Sequence, residues 1–202
     1  MTSTLNDTAA TDGRAAPGPA AEDGSSRSAV VSVRSLSKRY GEVVAVRELT
    51  FSLERGTITA FLGPNGAGKT STLRLLLGLA EPTAGEALVF GRRYRELQDP
   101  ARRVGAVLES NDFDPKRSGR NHLRALALAT GVPSSRVEEL LELVEFEAAA
   151  DRPVRGYSLG MRQRLGLAGA LLGDPELLLL DEPARRPTPA TGSFACLRNP
   201  AV

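Results

Sequence analysis

One eight-residue segment constrains the fold of this chain more than any other feature. It satisfies the pattern G-x-x-x-x-G-K-[ST] without a mismatch. The segment reads Gly63-Pro64-Asn65-Gly66-Ala67-Gly68-Lys69-Thr70. Glycines allow the positive φ angles that turn backbone N–H groups toward one concave anion site. In such a loop Lys69 supplies a charge for the outer phosphates of a nucleotide, and Thr70 supplies a hydroxyl ligand for Mg²⁺.

The flanking residues predict the strand and the helix that such a loop requires. Residues 57–62 form a short β-branched and apolar run, which predicts a buried strand. Residues 71–79, beginning with Ser71, predict a helix whose N-terminal dipole faces the phosphates. A glycine-rich turn without a ligand could also join a strand to a helix, but it does not require every fixed position of the motif. We therefore predict that residues 63–71 bind a nucleotide.

Two adjacent acids follow a second apolar run. The four leucines at 177–180 predict a strand buried on both faces, and Asp181 and Glu182 come directly after it. In open α/β sheets, ligands collect at the carboxyl ends of the strands. We expect Asp181 to hold Mg²⁺ through water and Glu182 to orient or deprotonate the attacking water. A buried strand ending in a polar turn is the simpler interpretation of this run alone, and the phosphate loop makes the functional one preferable.

Composition limits the class of protein further. The chain has 202 residues, enough for one domain with a sizeable core, and a formal net charge of +2, which gives little support for a nucleic-acid partner. Its single cysteine, Cys196, excludes an internal disulfide framework and suits a reducing cytoplasm. No apolar run approaches the roughly 18 residues that span a bilayer, and the acidic N-terminus does not fit a secretory signal. Any membrane role is therefore expected to come through a partner protein.

The chain divides into three regions. Residues 1–28 contain little to bury and are expected to be disordered. Residues 29–183 are expected to form one α/β domain, because short alternating runs predict an antiparallel β layer and core strands follow them. Helical spacing predicts an inserted helical subdomain at about 115–173, in which Ser135 and Glu138 fit a capping box. The only histidine, His122, lies in this helical part and is expected to have a surface or packing role.

A third motif, YSLGMRQR at residues 157–164, precedes the acidic strand. With it the chain resembles the nucleotide-binding domain of ABC transporters, whose signature is usually LSGGQ followed by RQR. Ser158 and Gly160 match, whereas Leu159 and Met161 depart from Gly and Gln. This variant resembles bacterial drug, bacitracin and lantibiotic-type exporters. The resemblance covers roughly residues 30–183 and implies the ABC-type core of the P-loop NTPases, with an antiparallel β layer and an inserted α-helical subdomain.

The resemblance also implies roles for residues and partners. Tyr40 matches the aromatic residue that stacks on adenine, and Glu109 fills the position of a glutamine that contacts Mg²⁺ or its water. In the family two subunits, as a homodimer or a pair of ABC subunits, sandwich ATP head to tail, so that each signature caps the γ-phosphate held by the other. The expected cofactors are ATP and Mg²⁺. The expected location is cytoplasmic, peripheral to the cell membrane through a membrane-spanning permease.

The resemblance ends after Pro183. The family continues with an Asp-bearing loop and a strand carrying a histidine, whereas residues 184–202 contain no acid and no histidine. We expect this tail to be unstructured and the domain to be incomplete at its C-terminus, with a shifted reading frame as the explanation and a native divergent tail as the alternative. Three functions remain: an exporter ATPase subunit, a nucleotide-binding fragment with little or no activity, and another phosphate-loop enzyme such as a kinase or GTPase. The signature favours the first by lineage.

Overall fold

The structure, a computed structural model, describes residues 29–64, 66–108 and 113–181, and the backbone of residues 192–197. Several expectations fall outside these residues and stay expectations. They concern the N-terminal 28 residues, Asn65, Glu109, Glu182 and the tail on either side of residues 192–197.

The described residues contain seven strands and five α-helices, together with short 3₁₀ helices at Tyr94–Glu96, Glu147–Ala149 and Val154–Gly156. The strands are β1 (Ala29–Tyr40), β2 (Val43–Glu54), β3 (Ile58–Leu62), β4 (Ala84–Val89), β5 (Val104–Val107), β6 (Leu177–Leu180) and β7 (Gly192–Leu197). The helices are α1 (Lys69–Leu76), α2 (Pro100–Arg103), α3 (Gly119–Thr130), α4 (Ser135–Leu143) and α5 (Leu159–Leu171). Within the described residues, no helix is both long enough and apolar enough to span a membrane.

The first sheet is an antiparallel layer with the strand order β2-β1-β4. β1 and β2 form a hairpin whose turn includes Gly41 at a φ of +57°. The inward residues of β1 include Val31, Val33 and Leu36, all almost fully buried. They join the buried leucines of α1 in one hydrophobic cluster, so the antiparallel layer covers one side of the helix that follows the phosphate loop.

The second sheet carries the predicted site and has the order β3-β7-β6-β5. β5 and β6 are parallel, and β7 runs antiparallel to both β3 and β6. Because β3 and β6 are each antiparallel to the strand between them, they run in the same direction. The carboxyl ends of β3, β5 and β6 therefore meet at one edge of the sheet, the edge at which ligands bind in this kind of fold.

The position of β7 corrects one expectation. Residues 184–202 were expected to be unstructured, yet Gly192–Leu197 forms a strand between β3 and β6. The prolines and arginines of the tail lie on either side of these six residues, which contain neither proline nor charge. A stretch of this length can supply a full set of backbone donors and acceptors to two neighbouring strands.

β3 also differs from its prediction. It is a strand but is not buried on both faces, because Ile58 and Leu62 are 76% and 71% exposed. The opposite face packs on the antiparallel layer, where the Phe61 ring meets Phe51 edge to face at a centroid distance of 4.8 Å. An apolar run alone does not distinguish a strand covered on one face from a strand covered on two.

The helical part has its own hydrophobic cluster, formed by residues of α3, α4, α5 and the segments that join them. Its fully buried members include Leu123, Leu140, Leu141 and Leu165. α5 joins this cluster to the sheet: a Cβ on Gly105 of β5 would lie 2.2 Å from the backbone oxygen of Ala170. The helix therefore packs against the sheet at a separation that only glycine permits.

The capping box predicted at Ser135 and Glu138 is wrong. The helix begins at Ser135, its N-cap is Ser134, and the Ser134 side chain makes no capping hydrogen bond. The Glu138 carboxylate instead accepts hydrogen bonds from Arg120 and Arg124 of α3. An ionic contact between helices replaces the local contact that the sequence spacing suggested.

Candidate functional site

The phosphate loop follows β3 and leads directly into α1, as the motif predicts. Gly66 and Gly68 have φ angles of +84° and +85°, the left-handed conformation that favours glycine. The Ala67 N–H donates to the Pro64 oxygen at 3.1 Å, which closes the turn. The loop therefore has the backbone conformation that points N–H groups at an anion, and the first N–H groups of α1 add to that site.

The structure places the side chains of the motif around the start of α1. Gly63, Gly68, Lys69, Thr70 and Ser71 are half-buried, whereas Pro64, Gly66 and Ala67 are exposed. Thr72, just beyond the motif, is buried, and its hydroxyl donates to the Gly68 oxygen at 2.9 Å. This bond fixes the first turn of α1 and leaves the Thr70 hydroxyl outside the buried core.

Lys69 closes the loop across its own backbone. Its Nζ donates hydrogen bonds to the backbone oxygens of Gly63 at 2.7 Å and Pro64 at 3.0 Å. The positive charge therefore lies at the mouth of the anion site. When a phosphate binds, the Lys69 Nζ can exchange these neutral acceptors for a charged one. Hydrogen bonds in which both groups are charged are stronger than those to a neutral carbonyl.

Strand β2 forms a wall beside the loop that sequence reasoning did not find. A Cβ on Gly68 would lie 2.2 Å from the backbone oxygen of Ala45 and 3.3 Å from the Val46 side chain. A groove of about 320 Å³ opens at this junction. Its lining includes Val44, Ala45, Val46 and Arg47 from the strand and Gly66 and Ala67 from the loop.

Tyr40 lies at the end of β1, on the same hairpin as this groove, but it is not among the residues that line it. The side chain is 46% exposed. The Lys38 Nζ lies 4.9 Å from the ring centroid, as in a cation–π pair. Stacking of adenine on Tyr40 therefore stays a proposal, and it requires the face of the ring away from Lys38.

Asp181 lies at the same edge of the sheet as the phosphate loop. It directly follows β6 and is 3% exposed, and its N–H donates to the Val107 oxygen of β5 at 2.8 Å. β3 and β6 are separated by one strand, so their axes lie about 10 Å apart. Both Asp181 and the phosphate loop therefore follow strands that end at the same edge of this sheet.

The signature begins α5. Ser158 is the N-cap, and its Oγ accepts a hydrogen bond from the Met161 N–H at 3.3 Å. Ser158, Leu159 and Gly160 are exposed, and Met161 is half-buried. α5 packs against β5, α3 and α4, whereas α1 packs against β2, β4 and β7. The structure thus presents the signature turn to solvent at a place other than the phosphate loop of its own chain.

A strand, a glycine loop and a helix, with an acid at the end of another strand at the same edge of the sheet, define a phosphate-loop nucleotide-binding domain. Comparison with known proteins narrows this class. The family model described as ABC transporter matches residues 46–185, more than half of the 202-residue chain. The chain belongs to the ABC transporter family.

Individual relatives agree with this assignment. The bacitracin transport ATP-binding protein BcrA of Bacillus licheniformis is 40% identical over 158 residues, which cover 77% of this chain and 52% of that protein. The Nod factor export ATP-binding protein I of Cupriavidus pinatubonensis is 43% identical over 160 residues, with 77% and 49% covered. The chain therefore spans about half the length of the curated relatives it matches.

A solved structure described as the ATP binding subunit of an ABC transporter has the same fold. It superposes with a TM-score of 0.63 at 26% identity, covering 77% of this chain and 67% of the other. The fold class predicted from the sequence is confirmed. The roles of individual site residues stay predictions.

Proposed function

We propose that this chain is an ATP-binding subunit of an export system, which couples the binding and hydrolysis of ATP to transport through a separate membrane-spanning permease. The observation that carries this proposal is the common sheet edge on which the phosphate loop and Asp181 lie. The names of the relatives, which concern bacitracin transport and Nod factor export, support an export role. On this proposal the chain is located in the cytoplasm, at the membrane, through its permease.

ATP would bind with its phosphates against the loop backbone and the start of α1. Lys69 would move from the Gly63 and Pro64 oxygens to the outer phosphates. The nucleoside would extend along β2, where the groove of about 320 Å³ begins, with Tyr40 as the expected platform for adenine.

The donor atoms near the loop fit Mg²⁺. A hydroxyl from Thr70 and a carboxylate from Asp181 are hard oxygen ligands, which Mg²⁺ prefers, and the ion usually keeps several waters. Glu109 is the proposed additional ligand. When bound, the ion would neutralise charge on the outer phosphates of ATP.

Hydrolysis would require Glu182 to orient the attacking water at the γ-phosphate. The signature residues Ser158, Leu159, Gly160 and Met161 would contact ATP held by a second subunit, in a homodimer or in a pair with another ABC subunit. An exposed helix N-terminus with a capping serine is suited to an anion. The alternative is a nucleotide-binding fragment without hydrolysis or transport, and it predicts binding without turnover.

Phosphate release from Mg-ATP separates these two functions. The full chain is compared with Glu182→Gln and with Glu139→Gln, the same change at an exposed glutamate of α4. Turnover in the parent chain and in the α4 control, with at least a hundredfold loss in Glu182→Gln, is the expected result. Equal turnover in all three proteins would contradict the role of Glu182, and ATP binding without release in the parent would favour the fragment.

A further inference from the structure

Tyr157, the first residue of the signature, is buried, whereas Ser158, Leu159 and Gly160 after it are exposed. Tyr157 is 6% exposed, and its hydroxyl joins two other segments of the helical part. The oxygen accepts a hydrogen bond from the Gly119 N–H at 3.1 Å, and the hydroxyl donates to the Ala149 oxygen at 2.8 Å. The start of α3, the segment after α4 and the residue before Ser158 therefore meet at one atom.

The hydroxyl satisfies a backbone group that α3 leaves open. The first N–H groups of a helix have no partner within the helix. At this helix the Asn121 N–H donates to the Ser118 side chain, and the Arg120 N–H donates to the Ala150 oxygen. The Gly119 N–H donates to Tyr157, so this side chain completes the cap of another helix.

The pocket around the hydroxyl is closely fitted. A Cβ on Gly119 would lie 2.8 Å from the Tyr157 Oη and 3.1 Å from the Phe146 ring, so the tyrosine reaches this N–H because residue 119 has no side chain. The rings of Phe146 and Tyr157 pack edge to face at 5.1 Å. Burial raises the pKa of the Tyr157 hydroxyl. The hydroxyl therefore stays protonated and donates its hydrogen bond to the Ala149 oxygen.

Backbone hydrogen bonds hold the residues just before the tyrosine. The Val154 N–H donates to the Arg117 oxygen and the Arg155 N–H donates to the Pro115 oxygen, both at 3.0 Å. A short 3₁₀ turn follows, in which the Gly156 N–H donates to the Pro153 oxygen and the Tyr157 N–H donates to the Val154 oxygen, both at 3.0 Å. These backbone bonds are local, and the tyrosine side chain adds the contacts that tie the residue before Ser158 to α3 and to Ala149.

We propose that Tyr157 is a positioning residue for the signature: its hydroxyl, bonded to Gly119 and Ala149, holds Ser158 and the first turn of α5 in a fixed place. This inference rests on the proposed function for the role of the signature, but the contact itself is a property of the fold. An exposed turn that must meet a phosphate on another subunit loses less freedom on binding when it is already held. The tyrosine supplies that restraint without contacting the ligand.

The test is Tyr157→Phe, which keeps the ring and removes the hydrogen bonds to Gly119 and Ala149, together with a longer one of 3.5 Å to the Ala150 oxygen. Hydrogen exchange of the full chain is followed at Met161 and Arg162, whose N–H groups donate to the Ser158 side chain and backbone oxygen. We expect exchange there to accelerate about tenfold, with no change at the far end of α5 or in the antiparallel layer. Tyr94→Phe makes the same chemical change at a half-buried tyrosine outside the site and should change none of these rates.

Phe146→Leu distinguishes positioning from packing, because it loosens the ring contact and leaves the hydroxyl in place. If it accelerates exchange at Met161 and Arg162 as much as Tyr157→Phe does, the hydroxyl has no special role and the proposal is overturned. Unchanged exchange at these two positions in Tyr157→Phe, or a uniform acceleration over the whole helical part, overturns it as well.

Sedimentation velocity with Mg-ATP connects the contact to function. Tyr157→Phe should bind ATP with parental affinity but self-associate about fivefold more weakly. An equal loss of ATP affinity would contradict positioning of the signature alone. A parent chain that does not self-associate with ATP would contradict the proposed head-to-tail sandwich of two copies, while the exchange rates would still decide whether the tyrosine holds the turn.

Discussion

The two left-handed glycines of the phosphate loop allow a sharp test of its packing. Gly66 and Gly68 have nearly the same φ, +84° and +85°, but their surroundings differ. A Cβ on Gly66 would meet no atom of the described residues within 4 Å, whereas a Cβ on Gly68 would lie 2.2 Å from the Ala45 oxygen. Alanine at the two positions therefore imposes the same conformational strain, with a steric conflict at only one of them.

The magnitudes follow from these two costs. Left-handed backbone costs alanine about 1–2 kcal/mol relative to glycine, which sets the expected loss of unfolding free energy in Gly66→Ala. In Gly68→Ala the carbon and the Ala45 oxygen must also separate by about 1 Å, and overpacking of this kind adds about 1–3 kcal/mol. The two costs sum to about 2–5 kcal/mol in Gly68→Ala. The conflict is with the backbone of β2, which cannot move as easily as the end of a flexible side chain.

Urea unfolding of the nucleotide-free proteins measures both losses, with the m-value as the check that unfolding stays two-state. The informative quantity is the difference between the two variants, about 2 kcal/mol, because the strain of the left-handed conformation cancels. Equal losses would refute the close approach of β2 to the start of α1, and with it the position of the nucleoside groove.

Three further predictions concern the sheet that carries the site. Hydrogen bonds from Arg103, and to a smaller extent from Arg55, lower the pKa of Glu176, so its carboxylate stabilises the fold above its usual pKa of 4.5. Glu176→Gln should therefore lose up to about 1 kcal/mol of unfolding free energy at pH 7, measured by urea unfolding. This loss should shrink as the pH falls below 4.5, and a loss that does not depend on pH would contradict the ion pairs. In the same assay Leu179→Ala, at a fully buried position of β6, should lose about 2–5 kcal/mol of unfolding free energy. The control Leu128→Ala, at an 85% exposed position, should lose less than about 0.5 kcal/mol, and similar losses in the two variants would contradict the buried core at β6. A chain that ends at Thr191 should show at least tenfold faster hydrogen exchange in β3 than a chain that ends at Leu197, because β7 is the strand paired with β3 in this sheet, and equal rates would contradict that pairing.

The parts of the site that the sequence predicted are those with local, fixed spacing. The phosphate loop needs a strand before it and a helix after it, and all three elements lie within residues 57–79. Asp181 follows directly from the leucine run of β6. Ser158 is the N-cap of α5, a position that serine favours because its oxygen can accept a helix N–H.

The parts that escaped prediction depend on contacts between distant residues. Ala45 lies beside Gly68 because a hairpin brings β2 against the start of α1, and no motif marks that approach. The Glu138 side chain bonds to α3 and does not cap α4, because α3 places Arg120 and Arg124 within its reach. Tyr157, at the first position of the signature, looks like an ordinary packing residue until Gly119 and Ala149 are placed around its hydroxyl.

The tail shows a further limit of composition as a guide. Its prolines and arginines predict disorder when residues 184–202 are averaged, but a short uncharged stretch within them forms a strand. Pairing on both sides depends on a gap between β3 and β6, which exists only in the folded sheet. Local pattern does not reveal a gap made by elements more than 100 residues apart.

The most direct test of the central claim is an equilibrium titration of the full chain with ATP and Mg²⁺, alongside Lys69→Ala and the control Lys116→Ala. Lys116 is an exposed lysine of the helical part, so the control removes the same charge away from the loop. Saturable binding by the parent and the control is expected, with affinity about 10- to 100-fold weaker in Lys69→Ala, because a hydrogen bond to a charged group contributes about 1.5–3 kcal/mol. Equal affinities in all three proteins, or no binding by the parent chain, would contradict the assignment of residues 63–71 as an ATP site.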